Sequence, residues 1–243
     1  MKNWLSILAL VAALSGNASN ALAQPAQSAA PSDWPRGNLD YANTRAALNS
    51  SISTGNVAQL GVAWTFAVSG VSDFGALAST PVVVNGVVYL QDLMSNVYAI
   101  DLTTGSLKWQ KMYNAKSVGP NGPAVDGGKV FVESSEQTVA ALDANTGQEL
   151  WSSQIAPPLT QGIDQQITVF NGTVYVSTVP GPSVPEFYPL GGLGIIYALD
   201  EQNGNTKWSF NTVKDGDLWG HPEVNSGGGS WYPPAVDTKT GST

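Results

Sequence analysis

Tyr98-Ala99-Ile100-Asp101-Leu102-Thr103-Thr104-Gly105-Ser106-Leu107-Lys108-Trp109 decides how this chain folds, because the same box returns twice. It recurs as Ala140-Ala141-Leu142-Asp143-Ala144-Asn145-Thr146-Gly147-Gln148-Glu149-Leu150-Trp151. The third copy is Tyr197-Ala198-Leu199-Asp200-Glu201-Gln202-Asn203-Gly204-Asn205-Thr206-Lys207-Trp208. In each, Gly follows Asp by four positions and Trp follows it by eight, with spacings of 42 and 57 residues between copies. A box that returns at such intervals marks a repeat architecture. A short apolar run ends at Asp, whose carboxylate suits the backbone N–H groups of the loop it opens. Gly tolerates the left-handed backbone that closes a short hairpin loop. One Trp per copy predicts an indole wedged between neighbouring units, its N–H bonded to a backbone oxygen. The Ala ahead of each box suits a crowded position.

Working outward from the boxes, Pro81 to Leu90 reads as two strands around Asn85-Gly86, the strongest short hairpin signal. With Asn96–Asp101 and Leu107–Lys111 this makes a four-stranded meander. The second unit repeats it with residues 123–132, Thr138–Asp143 and Glu149–Ser153. The third uses residues 167–176, Gly194–Asp200 and Thr206–Phe210, interrupted by a Pro-rich insert over Pro180–Pro189. About 45 residues and four strands per unit is the size of a propeller blade. Pro234-Ala235-Val236-Asp237 matches Pro123-Ala124-Val125-Asp126 and starts a fourth unit. A ring cannot close on part of a blade without leaving strand edges open, so the chain is expected to be the N-terminal part of a longer propeller. The fold class is all-β, with about three full blades and a partial one.

Ahead of the blades, Lys2, the apolar run Trp4–Leu14 and Ala21-Leu22-Ala23 read as a secretory signal over residues 1–23. The apolar run is too short to span a membrane. Residues 24–32 form a low-complexity leader, and 33–243 the propeller. Asp33 to Arg45 shows no helix or strand period and reads as an ordered loop pinned by an aromatic and two Arg. Ile52–Leu60 has the spacing of a helical turn, and Val62–Phe66 alternates like a strand.

Composition narrows the function. The net charge is −8 and only Arg36 and Arg45 carry guanidinium groups, which argues against nucleic acid and anionic membrane surfaces. There is no Cys, hence no disulfide framework, and His221 is the only His, so no His cluster or His-based triad can form. Asp215-Gly216-Asp217 has oxygen ligands for calcium but also the look of a solvated turn. Gly191-Gly192-Leu193-Gly194 leads into a strand, the wrong context for a dinucleotide fingerprint. Trp219 faces either the central funnel or a neighbouring blade.

Trp34-Pro35, Asp40, Asn43-Thr44-Arg45, Asn56-Val57, Leu60 and Trp64-Thr65-Phe66 together resemble the opening of the quinoprotein alcohol dehydrogenases. The three boxes resemble that family's tryptophan-docking repeats. Gly227-Gly228-Gly229-Ser230-Trp231, followed by Pro234-Ala235-Val236-Asp237, is similar to its internal Gly-Gly-Gly…Trp segment. The resemblance implies an eight-bladed propeller, periplasmic or secreted, holding pyrroloquinoline quinone beside Ca2+ or a lanthanide. Such proteins oxidise an alcohol by hydride transfer to the quinone and pass electrons to a cytochrome-type acceptor. Trp231 is then the floor of the quinone site, with Gly227, Gly228, Gly229 and Ser230 allowing close backbone approach. The family's glutamate falls near Ala78 and its arginine on Asn121 or a neighbour, the vicinal Cys pair is absent, and the metal-binding glutamate falls on Pro189, near Glu186. Its catalytic aspartate lies beyond Thr243. The missing Cys pair and Ala78 favour an alternative, a non-enzymatic propeller scaffold or assembly factor of the cell envelope.

Overall fold

Asn85 and Gly86 both adopt left-handed backbone, with φ of 51° and 73°, which is what a two-residue turn needs to match the twist of its strands. They join β1 (Val82–Val84) to β2 (Val87–Gln91). β3 (Val97–Asp101) and β4 (Leu107–Lys111) complete a four-stranded antiparallel meander. The second sheet holds β5 (Ala124–Asp126), β6 (Lys129–Ser135), β7 (Thr138–Asp143) and β8 (Glu149–Gln154) in the same order. After β9 (Gln161–Ile163), the third holds β10 (Thr168–Phe170), β11 (Thr173–Pro180), β12 (Ile195–Asp200) and β13 (Thr206–Asn211). This computed structural model describes residues 33–48, 50–117, 119, 121–157, 161–180, 194–213 and 227–240. The signal and leader, most of the Pro-rich insert, Asp215–Asp217, Trp219 and His221 lie outside them.

The boxes behave as their chemistry predicts. The Asp101 carboxylate accepts the Thr103 and Thr104 N–H groups at 3.1 and 2.9 Å, and Asp143 accepts those of Asn145 and Thr146 at 3.0 and 2.9 Å. Asp200 accepts from Gln202 N–H at 2.9 Å. Loop donors hold all three carboxyls below the ordinary aspartate range, foremost the Thr104 N–H at Asp101, the Thr146 hydroxyl at Asp143 and the Gln202 N–H at Asp200. Gly105, Gly147 and Gly204 have φ of 70°, 72° and 73°. Each sheet also carries a register shift at the box, after Ala99, Ala141 and Ala198. There the alanine sits opposite Trp109, Trp151 or Trp208, and none of the three alanines is exposed.

The glycine has a second duty that its turn does not reveal. The Trp109 indole lies on Gly147 of the next unit, where a Cβ would come within 2.6 Å of the ring, and its N–H donates to the Ala144 carbonyl at 2.9 Å. Trp151 lies on Gly204 in the same way and donates to the Glu201 carbonyl at 3.0 Å. Trp64, ahead of the first sheet, lies on Gly105 and donates to Leu102 at 2.8 Å. The cores follow this interleaving. One combines Val82, Tyr89, Val97 and Trp109 of the first sheet with Val130, Val132 and Leu142 of the second. Another combines Phe131 and Val139 with Val169, Val174, Val176 and Leu199 of the third. Trp208 and Phe210 of β13 are 45% and 41% exposed.

Three expectations need correction. Val62–Phe66 forms no ladder among the described residues, although Trp64 and Phe66 pack against the first sheet. Alternation fixed which side chains turn inward, but a strand needs a partner edge. Pro234–Asp237 forms no strand either; Val236 is buried and its N–H donates to the Tyr41 carbonyl at 2.8 Å. β9, which pairs with the far end of β11, was not expected. Three residues beside a Pro-rich stretch carry too little pattern to announce it. The helical turn does form, as a 3-10 turn over Val57–Gln59.

Candidate functional site

The loop from Asp33 to Arg45 ties the sheets together. Trp34 pairs with Val83 of β1 through backbone bonds of 2.9 and 2.8 Å in both directions. The Arg36 guanidinium stacks 3.6 Å over the Tyr41 ring, and Tyr41 donates to the Val169 carbonyl of β10 at 2.8 Å. Asn43 Nδ2 donates to the Pro233 carbonyl at 3.0 Å. The loop therefore touches the first sheet, the third sheet and the segment after it.

That bracing shapes a cleft of about 330 Å³ lined by Asn38, Arg45, Ala78, Thr80, Asn121, Gln166 and Trp231 to Pro233. Ala78, Asn121 and Gln166 each stand two to four residues ahead of the first strand of a sheet, β1, β5 and β10 respectively. Trp231 stands in the matching place ahead of Pro234. Gln166 stitches the units together: its Nε2 donates to the Thr80 and Pro123 carbonyls, both at 3.1 Å. Neighbouring glycines leave it room, since a Cβ on Gly37 would collide with its amide.

The glycine run does allow close backbone approach, and its partner in this structure is the third sheet. A Cβ on Gly229 would collide with the Thr178 carbonyl, and one on Gly194 would come within 2.6 Å of Gly228. Ser230 N–H donates to Ser177 Oγ at 2.8 Å, and Ser230 Oγ donates to the Tyr232 carbonyl at 2.7 Å. With Gln165 Nε2 on the Tyr232 carbonyl at 2.8 Å, the backbone around Trp231 is pinned while its indole stays 51% exposed. Of the five residues expected at a cofactor, Trp231 lines the cleft, and Gly227 to Ser230 carry the strap that presents it.

Sequence reasoning missed the polar part of the cleft. Arg45 is the cation on its wall; Nε donates to Asn38 Oδ1 at 2.9 Å and the guanidinium carbon sits 5.6 Å from the Tyr232 ring. Asn38 Nδ2 and Asn121 Oδ1 are buried without a hydrogen-bond partner. A flat aromatic face, a guanidinium and about 330 Å³ of space suit a planar, anionic molecule of small-ligand size. A metal is less well served. Among the described residues no three His, Cys, Asp or Glu side chains are grouped to hold one, and Pro189 and Glu186 lie outside them.

Comparison with known proteins bears on this arrangement. The PQQ_2 family model, described as "Outer membrane protein assembly factor BamB", matches residues 49–215. The chain is 32% identical over 205 residues to a quinohemoprotein alcohol dehydrogenase of Comamonas testosteroni, covering 77% of this chain and 27% of that protein. It is 32% identical over 193 residues to a lanthanide-dependent methanol dehydrogenase of Methylacidiphilum fumariolicum, covering 73% and 30%. A solved quinohemoprotein alcohol dehydrogenase from Pseudomonas putida superposes with a TM-score of 0.63 at 30% identity, over 74% of this chain and 26% of that one. A europium-containing methanol dehydrogenase gives 0.62 at 30% identity, over 75% and 32%. The chain thus spans between a quarter and a third of the length of these relatives, and its three sheets are blades of a β-propeller.

Proposed function

The chain belongs to the PQQ_2 family of repeat propellers, and from that membership we propose that it is the N-terminal part of an exported, quinone-dependent alcohol dehydrogenase. In this reading residues 1–23 direct it to the periplasm, and the three boxes are tryptophan-docking motifs. The cleft before the first strands receives pyrroloquinoline quinone, with Ca2+ or a lanthanide as its companion and a cytochrome-type protein as electron acceptor.

One observation carries the reading. Ala78, Asn121 and Trp231, which the family resemblance assigns to the quinone pocket one by one, line a single cleft although 153 residues separate the first from the last. When bound, pyrroloquinoline quinone supplies the two-electron acceptor for alcohol oxidation. Trp231 offers its exposed face for stacking, and the pinned strap from Gly227 to Ser230 fixes that face in place. Arg45 supplies the charge that pairs with a ligand carboxylate.

The second reading, a scaffold of the cell envelope without cofactor, is favoured by the short, uncharged Ala78 and Asn121 and by the wording of the family description. Quinone titration separates the two. With pyrroloquinoline quinone and CaCl2 added to the protein, saturable quenching of tryptophan fluorescence is expected, with dye-linked oxidation of alcohols in the full-length enzyme. Stacking on an aromatic is worth about 1–3 kcal/mol, so Trp231→Ala should weaken quinone binding about 5- to 150-fold. Absence of any saturable binding would leave the scaffold.

A further inference from the structure

Beneath the cleft, five oxygen atoms are buried without a hydrogen-bond partner: Gln91 Oε1, Ser95 Oγ, Asn121 Oδ1, Glu133 Oε1 and Asp164 Oδ1. Their residues are 0–2% exposed. They belong to one neighbourhood. Ser117 Oγ donates to Glu133 Oε2 at 2.9 Å and accepts from Asn121 Nδ2 at 3.3 Å. Gln91 Nε2 donates to the backbone carbonyls of Glu133 and Ser95. The Asp164 carboxylate lies against Gly119, in the loop between Ser117 and Asn121, where a Cβ would occupy its place. Glu136 and Asp164 both add to the negative field at Glu133. Among the described residues no Lys or Arg forms an ion pair with either acid.

We propose that Glu133, Asp164 and Asn121 form a site for a hard divalent cation of the calcium class, set behind the cleft wall at Asn121. Buried carboxylates without a counter-charge are costly. Buried water would satisfy the oxygens but leave the charge. The unspent atoms are all oxygens, from two carboxylates, two amides and a hydroxyl, which is the ligand chemistry calcium takes. The site differs from a grouping of three acids, which the described residues lack, because amide and hydroxyl oxygens complete it. Protons are the competing occupants. Burial raises Asp164 to about 6 and holds Glu133 well above the ordinary glutamate range, while the Ser117 bond lowers it. None of this depends on the quinone.

The test is calorimetric titration of the EDTA-stripped protein with CaCl2, no quinone present, at pH 8. The expected result is one ion per chain, weakened at least 100-fold in Glu133→Gln and Asp164→Asn. Calcium should also raise the melting temperature of the unmutated protein, a readout that needs no variant to fold. No binding at pH 8, or binding unchanged in both amide variants, overturns the site.

Discussion

Trp109→Ala is expected to lower the unfolding free energy by about 3–5 kcal/mol, the range for truncating a buried aromatic. Trp109 is 9% exposed, packs against Tyr89 with ring centroids 6.0 Å apart, and covers Gly147 of the next blade. Truncation opens a cavity between two sheets and leaves the Ala144 carbonyl without its indole donor. Trp208 occupies the same place in its own box but is 45% exposed, so Trp208→Ala in this chain should cost about 1 kcal/mol or less. Urea denaturation of both variants measures the contrast as a difference in midpoint. Equal losses would mean that the indoles do not wedge the blades.

In EDTA, the protein should lose stability as the pH rises, and Asp164→Asn should remove much of that loss. The folded pKa of Asp164, about 6, stands above its ordinary 3.8, so the native state binds the proton more tightly than the unfolded chain. The stability this confers is fully present below about 3.8 and is gone once the pH passes about 6. A difference of about two pKa units corresponds to about 3 kcal/mol, of which about 2 kcal/mol falls between pH 4.5 and pH 7. Glu133 shifts in the same direction. The box aspartates act oppositely, losing their contribution as the pH falls below the ordinary carboxylate range, so the comparison is made above it. Urea midpoints at pH 4.5 and 7 for the two proteins check it. A pH slope identical in Asp164→Asn would show that the carboxyl is not the source.

The blades were legible because their signals are local. Asn85-Gly86 sets a turn by its own backbone preferences, and period-two alternation sets the strands that flank it. The indole wedge was legible too, since the box recurs at one internal spacing. That Gly147 serves the turn and the neighbouring Trp109 at once was not legible, because the contact joins residues of different units. The cleft was harder still. It takes one residue from ahead of each first strand and adds Asn38 and Arg45 from the entry loop, and no local pattern connects them. Trp231, Ala78 and Asn121 came into view through family resemblance alone. Glu133 follows the apolar run Val130–Val132 in β6, and only the fold shows that Ser117 lies against it with Asn121 behind.

Exchange of indole N–H protons, followed by NMR with Trp→Phe variants for assignment, tests the interleaved blades most directly. The account predicts slow exchange for Trp64, Trp109 and Trp151, whose N–H groups donate to the backbone at 2.8, 2.9 and 3.0 Å, and fast exchange for the half-exposed Trp208. Exchange of Trp109 and Trp151 as fast as that of Trp208 would contradict it.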